Sequence, residues 1–374
     1  MKFKVSKQSK KSAARIGEMV TDHGVIKTPV FMPVGTVGSV KGMSPEELNS
    51  LDAEIILGNT YHLYLRPGDK FIKKAAGLHK FINWNKPILT DSGGYQVFSL
   101  GGDKNLVKIK DNGVEFRSHL DGSKHYFTPE KVIDIQTNLG SDIMMVLDVC
   151  TEFPASYNRA KKTMEITHAW AKKAIDYYQK LMTDNLQHKT RRGAIFGIIQ
   201  GSIYKNLREE SLKYISSLPF DGVAVGGVSV GEGKTHMYNA MRWTGAKLPS
   251  NKPRYIMGIG EPEDIVEAVK NGFDMFDCVL PTRLARHGVV WIHKKSKFKF
   301  DKLDLRKGKF KEDLGPIEAG CKCYACKNKF SRAYLAHLIK EKEILGIRLT
   351  TMHNLYFLID LVKNLRKDIK NNEL

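Results

Sequence analysis

Two aspartates each close a short apolar run. Asp91 follows Pro87-Ile88-Leu89-Thr90 and opens Asp91-Ser92-Gly93-Gly94-Tyr95-Gln96; Asp277 follows Met275-Phe276 and precedes Cys278-Val279-Leu280-Pro281-Thr282-Arg283. A carboxylate at the end of a buried strand is where a barrel enzyme keeps its catalytic groups. Two carboxylates flanking a sugar can break a glycosidic bond, one attacking and the other exchanging a proton with the leaving group. A further constellation, Cys321-Lys322-Cys323-Tyr324-Ala325-Cys326, reads C-x-C-x2-C. Cysteines this close suit a metal in a reducing compartment better than a disulfide framework. A closed tetrahedral zinc site needs a fourth ligand. His353 lies beyond a helical segment that can fold back onto the cysteines and is the expected ligand; His337, inside that segment, is expected to face elsewhere. Four protein ligands leave no open position, so the zinc is expected to be structural.

Positioning such groups calls for regular elements. Nearly continuous apolar runs recur at Thr28–Val34, Glu54–Gly58, Pro87–Thr90, Asp142–Leu147, Ala194–Ile199, Asp221–Val225, Arg254–Gly258 and Met275–Val279. Runs without alternation mark strands buried on both faces, as in parallel sheets. Helix starts lie between them: Ser44-Pro45, Thr128-Pro129 and Glu261-Pro262 each place proline at a first helical position, and Tyr157 to Lys180 has a helical pattern. Eight strands alternating with helices predict a (β/α)8 TIM barrel. No dinucleotide fingerprint follows the first strand, which disfavours an open doubly wound sheet. Residues 99–127 break the rhythm. Gly101-Gly102-Asp103, Asp111-Asn112-Gly113 and Asp121-Gly122-Ser123 read as turns in a small β insertion, and Asp22-His23-Gly24 as the turn of a β segment before the first strand. The expected organisation is a barrel with short β insertions over 1–283, a zinc-binding subdomain over 284–354 and a C-terminal helix closing the barrel over 355–374.

The chain of 374 residues carries a net charge of +20, which favours a polyanionic partner, nucleic acid first. No apolar run approaches the length of a membrane span, and basic Met1 to Lys11 has no apolar segment after it, so no membrane association and a cytoplasmic location are expected.

In a barrel, Asp91, Asp148, Gln200, Gly226-Gly227 and Asp277 all emerge at the C-terminal mouth. Asp148 and Gln200 are residue types that hydrogen-bond a purine edge. The Gly227 N–H can donate to a carbonyl oxygen, and Tyr95 and Met257 can sandwich a flat base.

These residues bring the chain to a family. It resembles the bacterial tRNA-guanine transglycosylases from about Thr28 to Leu355. The resemblance is carried by Asp91 to Ser99, His119 to Ser123, Gln200-Gly201, Val225 to Glu232, Met257 to Gly260, the Asp277 segment and the cysteine cluster. It implies a (β/α)8 barrel with one structural zinc on Cys321, Cys323, Cys326 and His353. It implies exchange of guanine at the wobble position of tRNAs with GUN anticodons for a 7-deazaguanine base. Asp277 is then the nucleophile and Asp91 the general acid/base. Asp91, Ser92, Gly93, Gly94, Tyr95, Asp148, Gln200, Gly227, Val230 and Met257 form the base site. The segments Gly258, Ile259, Gly260, Glu261, Pro262, Glu263, Asp264 and Thr282, Arg283, Leu284, Ala285, Arg286 meet the anticodon loop, and a homodimer is expected.

Two departures stand out. Val149 replaces the glutamate usual between Asp148 and Cys150, and Leu284-Ala285 replace the usual Ser-Gly. Cys150 and Val230 match the pattern associated with 7-aminomethyl-7-deazaguanine rather than queuine. The readings weighed against this one are a transglycosylase preferring queuine, a non-catalytic tRNA-binding subunit of the same fold, and a barrel glycosidase, whose cleft would be rich in tryptophan.

Overall fold

Eight parallel strands, Val30–Gly35, Ile56–Gly58, Ile88–Thr90, Ile143–Met145, Ala194–Ile199, Gly222–Val225, Arg254–Ile256 and Met275–Cys278, pair in chain order, and the last pairs with the first. The computed structural model describes residues 1–100, 107–184 and 193–374. The predicted (β/α)8 barrel is present, one strand for each apolar run. Ala194–Ile199 is buried at every position, as a strand between a packed interior and a helical ring must be.

The helices start where their caps require. Ser44 and Glu47 form a reciprocal capping box at the start of Pro45–Ser50, with the Glu47 N–H donating to Ser44 Oγ at 3.2 Å and the Ser44 N–H to Glu47 Oε2 at 2.8 Å. Thr128 Oγ1 accepts from the Lys131 N–H at 3.1 Å and opens Pro129–Leu139. Helix Pro262–Lys270 starts on its proline, and the long helix runs Tyr157–Asp184.

Small sheets flank the barrel. Lys2–Gln8, Arg15–Thr21 and Gly24–Thr28 form an antiparallel sheet with Asp22-His23 in its turn. Val107–Lys110, Gly113–Arg117 and Lys124–Phe127 form the expected insertion, with the Asp111-Asn112 and Asp121-Gly122 turns in place. The expected turn at Gly101-Gly102-Asp103 lies outside the described residues.

After the last barrel strand come helix Leu280–Arg286, a hairpin of Val289–His293 with Phe300–Asp304, and helices Tyr324–Lys327, Arg332–Lys340 and Ile344–Lys370. Val290, Leu305, Ile317, Cys323, Leu335 and Leu349 belong to a second hydrophobic cluster beside the main core. The last helix runs unbroken through the expected 354/355 boundary. It carries His353, and beyond it sends Leu358, Leu361, Val362, Leu365 and Ile369 into the barrel's core.

Candidate active site and metal centre

Asp91 sits one residue past strand Ile88–Thr90 and is buried. The Thr60 and Gly93 N–H groups donate to its Oδ1 at 2.9 and 3.2 Å, and Asn59 Nδ2 donates to Oδ2 at 2.6 Å. Asn59 is also the cap of helix Thr60–Leu65, its Oδ1 accepting from the His62 N–H at 3.1 Å. One amide thus starts a helix and orients the carboxyl. Burial pushes Asp91 up, the Thr60 and Gly93 amides pull it down, and the charges of Asp277 and Asp148 push it further up; the result is about 7. A carboxyl so placed can give and take a proton near neutral pH.

Asp277 lies within strand Met275–Cys278 and is partly exposed. Tyr255, on the adjacent strand, donates its hydroxyl to Oδ1 at 2.6 Å, and the Gly258 N–H donates to the same oxygen at 2.8 Å. Gly258 has a φ of +75°, where a side chain would be strained. Burial raises the Asp277 pKa, against which the Gly258 amide and the Tyr255 hydroxyl favour the carboxylate. Neither neighbouring cysteine is a competing nucleophile. Burial first, then the charges of Asp148 and Asp277 respectively, push Cys150 and Cys278 up to about 12, which keeps both as thiols.

The expected purine-reading groups converge. Gln200, fully buried just past strand Ala194–Ile199, donates Nε2 to Asp148 Oδ2 at 2.7 Å. Ser92 donates to Asp148 Oδ1 at 3.3 Å. Burial raises Asp148 to about 6, against the pull of Gln200 and Ser92. Gln200 Oε1 is buried with no hydrogen-bond partner among the described residues, an unspent acceptor at this site. Gly227 has a φ of +59°, and a Cβ there would lie 2.3 Å from Gln200 Oε1, so a side chain would be strained and would displace the Gln200 amide. Glu232 receives the N–H groups of Ser229 and Val230 at 2.5 and 2.8 Å, shaping the loop that carries Val230. Tyr95 is 53% exposed on helix Gly94–Leu100, whereas Met257 packs partly into the core. Val149 is buried in the core.

The two expected RNA segments border Asp277. Arg283 and Arg286 are exposed on helix Leu280–Arg286; Thr282 and Ala285 are buried beneath them. Burial, then the Arg283 charge, lowers the Arg286 pKa. In the other segment Ile259, Gly260, Pro262 and Asp264 are buried. Its acids are engaged within the protein: Lys302 donates to Glu261 at 2.5 Å, and Lys234 and Tyr238 donate to Asp264 at 2.8 and 2.6 Å.

His353 Nδ1 lies 3.8, 3.4 and 3.7 Å from the sulfurs of Cys321, Cys323 and Cys326, and all four ligand atoms lie within 4.8 Å of one another. His353 Nε2 donates to the Trp291 carbonyl at 2.7 Å, which leaves Nδ1 unprotonated and able to act as a ligand. The four side chains can hold a metal ion.

A second cluster, His23, His79 and Asp142, lies at the opposite end of the barrel. His23 Nδ1 and His79 Nε2 contact the two Asp142 oxygens at 2.8 and 3.0 Å, and the Ile88 N–H donates to Oδ2 at 2.9 Å. The two imidazoles stack 3.5 Å apart at 14°. A metal must lie in the plane of each ring it binds, and parallel stacked rings share no such point. The cluster is a hydrogen-bonded latch between the N-terminal sheet and the barrel. Burial pushes Asp142 up, but the His79 and His23 hydrogen bonds outweigh it and hold the carboxyl below its ordinary range.

Sequence reasoning missed three groups that build the site: Asn59, Tyr255 and Arg208. Arg208 donates to the carbonyls of Ser202, Gly226 and Gly227 at 2.8, 2.6 and 2.7 Å. The signal for Asn59 was available, since a capping asparagine after a barrel strand stands at the mouth. Arg208 lies among charged helix residues and carries no such mark.

Fold and site together define a (β/α)8-barrel enzyme with its polar groups at the carboxyl ends of the strands. A family model described as Queuine tRNA-ribosyltransferase matches residues 9–374. The chain is 53% identical over 374 residues to a protein of Caldanaerobacter subterraneus subsp. tengcongensis named queuine tRNA-ribosyltransferase, covering 100% of this chain and 95% of that one. Proteins of the same name from Thermoanaerobacter sp. and Desulforudis audaxviator are each 52% identical, over 100% and 98% of this chain and 95% and 94% of theirs. The chain belongs to the queuine tRNA-ribosyltransferase family.

Proposed function

We propose that this pentosyltransferase exchanges guanine at the wobble position of tRNAs with GUN anticodons for 7-aminomethyl-7-deazaguanine, in queuosine biosynthesis. The Asp277 carboxylate attacks C1′ of the ribose. An ester forms, the C1′–N9 bond breaks, and Asp91 passes its proton to the departing guanine. The incoming base then gives its N9 proton to Asp91 as N9 attacks C1′, and the ester breaks to restore Asp277. Two displacements retain configuration at C1′.

The observation that carries this reading is the pair of carboxyls at one rim. Asp91 is pushed to about 7, and Asp277, which burial also raises, has the Tyr255 hydroxyl and the Gly258 N–H on one oxygen favouring its carboxylate form. Asp148, Gln200 and the Gly227 N–H read the base, with Ser92, Gly93, Gly94, Val230 and Met257 around it and Tyr95 stacking on it. Arg283 and Arg286 hold the anticodon loop. The remaining residues of 258–264 and 282–286 shape that surface. Three tryptophans, Trp84, Trp170 and Trp291, are buried, which speaks against a polysaccharide cleft.

The ion on Cys321, Cys323, Cys326 and His353 is zinc, by its three soft sulfurs and one imidazole. It has no part in the chemistry; it fixes the last helix to the subdomain. The separate hydrophobic cluster supports a metal-binding subdomain (284–354) beside the barrel (1–283), and the closing segment (355–374) continues the subdomain's last helix. Tyr334, Ile344 and Leu345 leave apolar surface exposed on the subdomain, which supports a homodimer. The location is the cytoplasm, where the substrate is. Among the described residues no helix is long and apolar enough to cross a membrane.

The test is release of labelled guanine from a GUN-anticodon tRNA when the 7-aminomethyl base is supplied. No release from folded, zinc-loaded protein overturns the proposal in favour of a tRNA-binding subunit. The relatives' printed name favours queuine as a second reading. Exchange with queuine in preference to the aminomethyl base would establish it.

A further inference from the structure

Arg208 stands near the start of helix Lys205–Ser217 and is fully buried. Among the described residues its guanidinium makes hydrogen bonds only to backbone carbonyls: Nε to Ser202 at 2.8 Å, Nη1 to Ile199 at 3.4 Å and to Gly226 at 2.6 Å, and Nη2 to Gly227 at 2.7 Å. Burial lowers its pKa to about 10, so it is a cation at neutral pH. A buried guanidinium bonded to carbonyls alone loses hydration that no ion pair returns. What it gains is geometry, since a planar fork can grip several acceptors in fixed directions.

Those acceptors belong to the ends of two neighbouring barrel strands. Ile199 and Ser202 flank Gln200; Gly226 and Gly227 form the next strand's turn. A trans peptide points its C=O and N–H in opposite directions. Gripping the Gly226 carbonyl therefore aims the Gly227 N–H away from Arg208, and gripping the Gly227 carbonyl does the same for the Val228 N–H. The turn is seated against Gln200, whose Oε1 would lie 2.3 Å from a Cβ at Gly227 and whose Nε2 meets Asp148.

We propose that Arg208 is a positioning residue for base recognition, fixing the Gly226-Gly227 turn so that its N–H groups face the carbonyl oxygen of the bound purine. The inference rests on the base-site reading above. Arg208 acts through the turn, so its loss weakens recognition of the purine carbonyl and spares ligands that lack one.

The experiment measures competitive inhibition by guanine and by 2-aminopurine, which has no carbonyl oxygen, for wild type, Arg208→Gln and Arg208→Lys at matched zinc content. Arg208→Gln is expected to weaken guanine about tenfold, the scale of one hydrogen bond, and to leave 2-aminopurine within about twofold. Arg208→Lys, with fewer and unforked donors, is expected to lose less in the same direction, and it carries the test if the glutamine variant does not fold. A wild type that prefers guanine, with variants that keep that preference in full, overturns the role of Arg208 alone. Equal losses on both bases also overturn it, since they mark general collapse. A wild type indifferent between the two bases overturns the base-site reading and this inference together.

Discussion

The Tyr255 hydroxyl donates to Asp277 Oδ1 at 2.6 Å across neighbouring barrel strands. Burial, then the Asp277 charge, raises the phenol well above its usual range, so it stays a donor throughout the working pH. In the proposed reaction, fixing one carboxylate oxygen aims the other at C1′. Tyr255→Phe is expected to lower kcat about 10- to 100-fold, the range for a hydrogen bond to a charged group. Because the hydroxyl favours the carboxylate, its loss should also move the acidic limb of the kcat/KM profile to higher pH. An unmoved limb would argue against this role.

In the proposed reaction Asp91 sets the alkaline limb. Its first task needs the protonated form, and its pKa in the folded protein is about 7. Protonated Asp91 is abundant below that pH and is lost above it, so kcat/KM for tRNA is expected to fall as pH rises through about 7. Asp91→Asn should lower the rate by about 10²- to 10⁴-fold and flatten that limb in whatever activity remains. A descending limb that survives the substitution would point to another acid.

The helix that carries His353 braces the segment proposed to meet RNA from behind. Asn354, next to His353, donates to the Pro281 and Val289 carbonyls at 3.1 and 3.0 Å, and Thr350 donates to the Ala285 carbonyl at 3.1 Å. These contacts brace helix Leu280–Arg286, which carries Arg283 and Arg286. Cys323→Ser is expected to lose the zinc, lower Tm and weaken tRNA binding more than binding of the free base. Metal content by plasma spectrometry and the two affinities check this. Equal weakening of both would deny a specific link.

The latch at the far end titrates with acid. Asp142 has its folded pKa depressed, so its contribution to stability is fully present above the unfolded value of about 4 and is lost as pH falls through the folded value. Asp142→Asn should cost about 1–3 kcal/mol at neutral pH, with the difference from wild type closing in acid. Denaturant titrations across pH read this out. Exchange activity should be unchanged, because the latch lies away from the mouth.

Much of this was legible because strand ends and helix caps have local signatures. Runs such as Ala194–Ile199 reveal buried parallel strands, so the rim carrying Asp91, Gln200 and Asp277 followed from counting. The cysteine spacing and His353 gave the metal centre. The groups that aim those side chains were hidden, because their partners come from other strands. Tyr255 reads as core, and only the barrel's register brings it to Asp277. Arg208 reads as helix surface, and only burial shows that its partners are carbonyls. The hairpin Val289–His293 with Phe300–Asp304 escaped because its turn, Lys294 to Lys299, has no glycine, asparagine or proline to mark it.

The most direct measurement is the intact mass of the denatured protein after incubation with an anticodon stem-loop containing U-G-U. Wild type is expected to carry a covalent RNA adduct that the 7-aminomethyl base discharges, and Asp277→Ala to carry none. An adduct that persists in Asp277→Ala, or exchange by wild type with no adduct at any time, would contradict the double displacement at Asp277.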